Sequence, residues 1–285
     1  MTTIAVTGAT GGVGGRVARL LAERGVAQRL IVRDAARAPE LAAAEVTVAT
    51  YADGEAARRA LEGVDVLFLV SAAENADRLG EHRSIVEAAR ASGVAHVVYT
   101  SFFGAAPDAT FTLARDHFVT ENLIRDAGLG HTFLRDNLYT DFLPMLAGED
   151  SVIRGPAGTG RVASVTRDDV AESAVRVLLD TIDTPDAHNG ITYELTGPEA
   201  LTLAEVAAIV TAGGARGTVS YHDETIDEAY ASRAVYDAPQ WQLDAWVSTY
   251  TAIAAGELER VTSDVERLTG HPARSLREFL ASAPH

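Results

Sequence analysis

Along its first 140 residues the chain alternates short apolar runs with amphipathic stretches, and this alternation limits the fold more than any other feature. Runs such as "DVLFLVSAA" (65–73) are apolar on both sides, so they need cover on two faces. A parallel sheet flanked by helices supplies that cover. The predicted strands begin at "TIAVTG" (3–8), "QRLIVRD" (28–34), "EVTVATY" (45–51), "DVLFLVSAA", "AHVVYTSFFG" (95–104) and "HTFLRDNLY" (131–139). Between them lie helical patterns, such as "GVGGRVARLLAERG" with Val13, Val17, Leu20 and Leu21 on one face and Gly25 ending it. "AARAPELAAA" reads as a short helix broken near Pro39. Beyond residue 140 the pattern loosens. "GEDSVIRGPAGTGRV" (148–162) reads as loop, "DDVAESAVRVLLDT" as a helix, and "GITYELTGPEALTLAEVAAIV" as strand, turn and helix. There Thr202 and Glu205 have capping-box spacing.

The turn after the first strand carries glycines at 8, 11 and 14. In a strand–turn–helix setting each has a purpose. The first allows a tight turn, the second lets backbone amides approach a pyrophosphate, and the third lets the helix pack on the strand. The second strand ends in Arg33, where a planar guanidinium suits a ribose 2′-phosphate. Asp34 follows, and an acid facing the ribose would favour the unphosphorylated cofactor. NADP is therefore expected, with NAD as the alternative. The architecture expected is α/β: a doubly wound parallel Rossmann sheet with a smaller C-terminal α/β substrate lobe. Residues 1–140 form the dinucleotide-binding core and 141–285 the lobe, interleaved with the sheet as a single structural unit.

Composition excludes several chemistries. The net charge of −16 disfavours nucleic acid as a partner. There is no cysteine, so neither disulfides nor thiolate metal sites can form. All 24 basic residues are arginine. Without lysine there is no Schiff base, no P-loop lysine and no tyrosine–lysine catalytic pair. None of the eight histidines is paired at i, i+4, so no metal site is expected. No apolar run approaches the roughly 20 residues of a membrane span, and no leader pattern opens the chain, so no membrane partner and a cytoplasmic location are expected.

"TGATGGVG", "EHRSIVEAARASGVAHVVYTSF", "DHFVTENLIRDAGLGHTFLRDNLYTDF" and "YELTGPEALTLAEVA" together resemble the NmrA-like branch of atypical short-chain dehydrogenase/reductases. Within that branch they look most like the type 2 quinone oxidoreductases, which use NADPH. The resemblance spans nearly the whole chain. It implies that Thr7, Gly8, Ala9, Thr10, Gly11, Gly12, Val13 and Gly14 cradle the pyrophosphate and that Arg33 meets the adenosine phosphate. Ser71 and Ala72 would pass the adenine-side ribose. Thr100, Ser101 and Phe102 would line the nicotinamide ribose, and Asp136, Asn137 and Leu138 the nicotinamide. Phe103 and Tyr139 would stack on a flat substrate. One departure is Thr50 before Tyr51, where the family often has an acid.

Aligned on "HFVTE", His117 stands where the family's lysine would be and Leu113 where its tyrosine would be. The usual carbonyl-reducing acid is thus missing. A quinone, whose reduced anion is stabilised by its own ring, avoids that need. His117 remains the one catalytic candidate, as a ribose-binding group or a proton relay, with a plain helix histidine as the other reading. The expected activity is NAD(P)H-dependent reduction of a small quinone-like aromatic. A non-catalytic dinucleotide sensor and a tailoring oxidoreductase or oxygenase for an aromatic natural product are the alternatives, and a homodimer is left open.

Overall fold

The computed structural model describes residues 3–214 and 217–282. In chain order the first elements are β1 (Ile4–Thr7), α1 (Gly12–Glu23), β2 (Gln28–Val32), β3 (Ala44–Val48), α2 (Gly54–Ala60), β4 (Val66–Leu69) and α3 (Arg78–Ala91). Next come β5 (His96–Phe102), α4 (Thr112–Asp126), β6 (Gly130–Asp136), β7 (Val152–Gly155), β8 (Arg161–Val162), α5 (Arg167–Asp183) and β9 (Ile191–Leu195). The remainder is β10 (Leu201–Thr202), α6 (Leu203–Ala212), β11 (Ser220–Asp223), α7 (Ile226–Arg233), α8 (Gln240–Ala254), α9 (Asp264–Thr269) and α10 (Leu276–Ser282).

The central sheet has the order β3-β2-β1-β4-β5-β6-β9. β1 pairs with β2 and β4, β2 with β3, and β4 with β5, all in parallel. The bonds from Gly190 N to His131 O and from Asn137 N to Leu195 O advance together along β6 and β9, so that pair is parallel as well. This is the doubly wound order, with its reversal between β1 and β4. Alternate residues of the strands face opposite layers. Ala5, Leu67, Leu69, Val97, Tyr99 and Phe133 join Ala57, Ile85, Ala89 and Ile124 in a core on one face. On the other, α1 buries Val13, Val17 and Leu21 and packs against α5. Fully burying each such large side chain contributes about 1.5–3 kcal/mol.

Two compact units alternate along the chain. One comprises 1–102, 116–135 and 167–193; the other comprises 103–115, 136–166 and 194–285. The first holds the sheet, α1 to α3, most of α4, and α5. The second holds α6 to α10 and two small sheets, β8 antiparallel to β10 and β7 parallel to β11. The capping box at α6 is present, with Thr202 Oγ1 accepting from Glu205 N and Glu205 accepting from Thr202 N.

Two expectations change in detail. The stretch 148–162 contains β7 and β8. Strands of four and two residues are too short for a period-two pattern to show against their glycines. The short helix before Pro39 is a single 3-10 turn, Ala35–Arg37. β9 is the seventh strand of the sheet.

Candidate functional site

In the first unit, the chain leaves β1 at Thr7 and turns through Gly8, whose φ of +63° suits glycine. Gly11 N donates to Gly8 O at 2.8 Å, closing the turn, and Gly11 is the N-cap of α1. A Cβ on Gly14 would lie 2.5 Å from both the Thr7 and Gly8 carbonyl oxygens, so the helix rests directly on the strand end. Ala9 and Val13 are buried, whereas Thr10, Gly11 and Gly12 are exposed. The first turn of α1 has no acidic side chain. A helix start with accessible amides and no acidic side chain in its own first turn suits an anion. These residues fit the pyrophosphate of a dinucleotide.

The rim around that turn is tied together by hydroxyls. Thr7 is fully buried; its Oγ1 donates to Phe68 O at 3.1 Å and accepts from Val70 N at 2.9 Å. The Tyr51 hydroxyl lies 2.6 Å from Thr7 Oγ1 and 2.7 Å from Val70 O. The side chain of Thr7 therefore joins β1 to β4 and is not offered to a ligand. At the end of β2, the Asp34 carboxylate accepts from Ala36 N at 3.0 Å and caps the 3-10 turn. Arg33 is exposed and has no hydrogen bond or ion pair among the described residues. Of the two residues that could read a ribose, the acid is engaged and the guanidinium is available. Thr50 accepts from Asp53 N at 3.2 Å at the entry to α2.

A hydroxyl also ties Ser71 to Thr100, whereas Ala72 is held by a histidine and an arginine. Ser71 N donates to Thr100 Oγ1 at 2.9 Å. Ala72 N donates to His82 Nε2 at 2.8 Å, and Ala72 O accepts from Arg78 Nε at 3.0 Å. Ser101 is fully buried and donates to Glu121 Oε1 at 2.7 Å. Glu121, also fully buried, accepts two bonds from Arg135, each 2.7 Å. The Ser101 side chain thus serves the packing of α4 on β5.

His117 is 7% exposed and lies beside Phe102, ring centroids 6.1 Å apart. Arg78 Nη2 lies 2.9 Å from its Nε2, and the Tyr99 hydroxyl 3.0 Å from its Nδ1. A guanidinium only donates, so Nε2 carries the lone pair and Nδ1 the proton. Burial pushes the imidazole well below its ordinary pKa, and the Arg78 charge pushes it further. Arg78 itself is buried and pairs with Asp116 at 3.1 Å. Both nitrogens of His117 are committed, so it has no free donor for a ribose or a substrate. Sequence reasoning alone misses Arg78, His82 and Glu121.

In the second unit, Asp136, Asn137 and Phe103 are buried and Leu138 and Tyr139 half-buried. Asn137 Nδ2 donates to Leu258 O at 3.0 Å, and its Oδ1 accepts from Leu138 N at 2.7 Å. Tyr139 donates to Asp136 Oδ2 at 2.7 Å. Phe103 lies under Arg260, whose Cζ is 5.0 Å from the ring centroid. Tyr139 caps a 3-10 helix, Thr140–Leu146, in which Thr140 and Leu143 are buried. At three residues per turn, Tyr139, Phe142 and Met145 fall in one line. Phe142 is 45% and Met145 64% exposed, and the Tyr139 and Phe142 rings are stacked. An outward apolar line of this kind marks a binding surface more often than isolated exposed residues do. Among the described residues, no group of three or more His, Asp or Glu could hold a metal ion, and no helix is long and apolar enough to cross a membrane.

A family model described as NAD(P)H-binding matches residues 8–181. Quinone oxidoreductase 2 of Escherichia coli is 35% identical over 285 residues, covering 98% of this chain and 97% of that protein. The crystal structure of that enzyme complexed with NADPH is similar, with a TM-score of 0.86 and 98% of each chain covered. NAD(P)H azoreductase of Xenophilus azovorans is 32% identical, covering 97% of this chain and 96% of that protein. The negative transcriptional regulator NmrA, in complex with NADP, shares the fold at 19% identity and a TM-score of 0.76, covering 99% of this chain and 94% of that one.

Proposed function

Because the chain belongs to the NmrA-like NAD(P)H-binding oxidoreductases, we propose that it reduces a quinone, or a similarly flat and electron-poor aromatic, at the expense of NADPH. One observation carries the choice of substrate class. The chain has no lysine, and its one candidate acid, His117, is neutral, buried and bonded at both nitrogens. The acceptor must then hold its own negative charge, as a quinone does. Bound NADPH would supply the hydride. Two electrons and one proton move to the quinone, and water protonates the resulting hydroquinone anion. In this reading Gly8 to Gly14 hold the pyrophosphate, while Thr100, Ser71 and Ala72 shape the ribose rim through backbone positions. Asp136 to Leu138 lie near the nicotinamide. Tyr139, Phe142, Met145 and Phe103 meet the substrate. Positioning is the main catalytic contribution. The names of the quinone-reducing and azo-reducing relatives support the same class. A cysteine-free chain also fits the reducing cytoplasm.

Mixing the protein with NADPH and benzoquinone tests the reading. Nicotinamide absorbance should fall in proportion to hydroquinone formed. Tight NADPH binding with no oxidation by benzoquinone, a naphthoquinone or an azo dye would refute it, and oxygen uptake with a polycyclic phenol would redirect it towards oxygenation.

Arg33 is expected to select the cofactor. Arg33→Ala should weaken NADPH by about 1.5–3 kcal/mol, the contribution of a charge-assisted contact, and leave NADH nearly unchanged. Calorimetry with both cofactors decides, and equal losses would remove Arg33 from the 2′-phosphate.

His117→Gln should keep most of the turnover. A glutamine can accept from Arg78 through its oxygen and donate to Tyr99 through its nitrogen. The expected loss is far below the roughly 10²–10⁴-fold of a missing general acid. Turnover across pH 5 to 9 checks this. A hundredfold loss with intact NADPH affinity, and with a limb near neutrality gone, would make His117 a proton relay.

A further inference from the structure

The space that a side chain at residue 12 would fill is occupied by Arg167. A Cβ on Gly12 would lie 2.9 Å from Arg167 Cδ, 3.0 Å from Nε and 3.5 Å from Cζ. Arg167 opens α5, and α5 packs along α1 within the first unit. Both helices lead towards the amino ends of parallel strands, β2 and β9, so both begin at the carboxyl edge of the sheet. Arg16 fastens the two starts. Its Nη1 donates to Gly12 O at 2.8 Å, and its Nε is bonded to Asp168. The Asp168 carboxylate is thereby paired, and Asp169 is fully buried. Half-buried Arg167 thus lies beside the first residue of α1, next to the exposed Thr10 to Gly12 turn.

We propose that Arg167 is a cofactor-binding residue that clamps the pyrophosphate from the α5 side, with the α1 amides on the other. A guanidinium is charged at every working pH and matches phosphate oxygens with a planar fork. In a chain without lysine, an arginine is the residue that can bring a fixed cation to this turn. The arrangement also explains the absence of a side chain at Gly12, where even a methyl group would push the guanidinium away. Arg167 and Arg33 then divide the work. Arg33 distinguishes the two dinucleotides, and Arg167 grips what they share.

This inference rests on reading residues 8–14 as the pyrophosphate cradle, and the experiment separates the two. Dissociation constants for NADPH, NADH and adenosine 2′-monophosphate, which lacks the pyrophosphate, are measured on wild type, Arg167→Ala, Arg167→Lys and Gly12→Ala. Arg167→Ala should weaken NADPH and NADH alike by at least tenfold, flatten the salt dependence of binding, and leave adenosine 2′-monophosphate unchanged. Lysine should recover part of the loss, and Gly12→Ala should reproduce part of it with the charge still present. Unchanged affinity for both dinucleotides overturns the proposal. So does a loss confined to NADPH, or a loss shared by adenosine 2′-monophosphate, which would signal damage to packing. Should Arg167→Ala fail to fold, the lysine and Gly12 variants decide alone. Failure of the wild type to bind either dinucleotide would remove the cradle reading and the clamp together.

Discussion

Gly14→Ala is expected to lift α1 off the end of β1, with losses in both stability and cofactor affinity. The added carbon would sit 2.5 Å from Thr7 O and Gly8 O and 2.6 Å from Gly8 C. These are backbone atoms, so no side chain can swing aside. Either the helix or the turn must move. Overpacking of this kind costs about 1–3 kcal/mol, and because the three nearest atoms are all backbone, Gly14→Ala falls near the upper figure. The same shift displaces the amides that face the anion, so NADPH affinity should drop at least tenfold, about 1.4 kcal/mol. Gly11 provides the contrast. Its Cβ would approach one atom, Gly8 O, at 3.2 Å. Gly11→Val should therefore reduce cofactor affinity through the exposed side chain while leaving the denaturation midpoint closer to wild type. Urea midpoints at constant slope, with calorimetry alongside, separate the two glycines. A Gly14→Ala protein with both quantities intact would mean that the close approach of helix and strand is not required.

What is legible in the sequence is whatever is local. The glycine turn, the alternation of strand and helix, and the box at Thr202 and Glu205 each depend on residues a few positions apart, and all three are present. The sheet's seventh strand depends on β9 meeting β6, about 55 residues away along the chain, and no local pattern carries that pairing. The polar network around Ala72 leaves a trace that passes for plain amphipathicity. Arg78, His82, Ile85, Val86 and Ala89 recur at helical spacing on the buried face of α3, so an arginine and a histidine stand in an otherwise apolar line. His117, Glu121 and Ile124 repeat the pattern on α4. A charged residue in a core stripe must find a buried partner, and helical spacing is enough for that rule to single out Arg78 and Glu121. The rule cannot tell that Arg78 reaches His117 or that Glu121 reaches Arg135. Arg167 is less accessible still, because its neighbour Gly12 is 155 positions away and nothing local links them.

Acidification from pH 7 to pH 5 should destabilise the fold steeply, because three of its histidines are kept neutral. His82 accepts from Ala72 N and bonds Thr120 through its other nitrogen; burial first, and the charge of Arg78 second, hold it at about 3. His96 bonds Thr132, and burial, followed by the charges of His131 and His188, holds it at about 4. His117 is lowered in the same direction by burial and by Arg78. In the unfolded chain each returns to about 6.5. Above that pH the residues are neutral in both states and contribute nothing to the pH dependence. Below it the unfolded chain binds protons that the folded one refuses, so stability falls as pH falls, until each folded-state value is reached. One refused proton corresponds to about 1.4 kcal/mol per pH unit. His82 and His96 together remove about 4 kcal/mol between pH 7 and pH 5, from a typical total of roughly 5–15, and His117 adds to that loss. The carboxylates lowered by their partners, such as Glu205 beside Thr202 and Arg161, act in the same sense at lower pH. Urea unfolding at half-unit steps from pH 7 to pH 5 reads the number of protons from the slope. Near pH 5 a slope worth about three protons is expected, falling by one in His117→Gln. A slope worth one proton or fewer in the wild type would mean that these imidazoles are charged inside the fold, and the hydrogen bonds that His82 and His117 accept from Ala72 N and Arg78 would have to be abandoned.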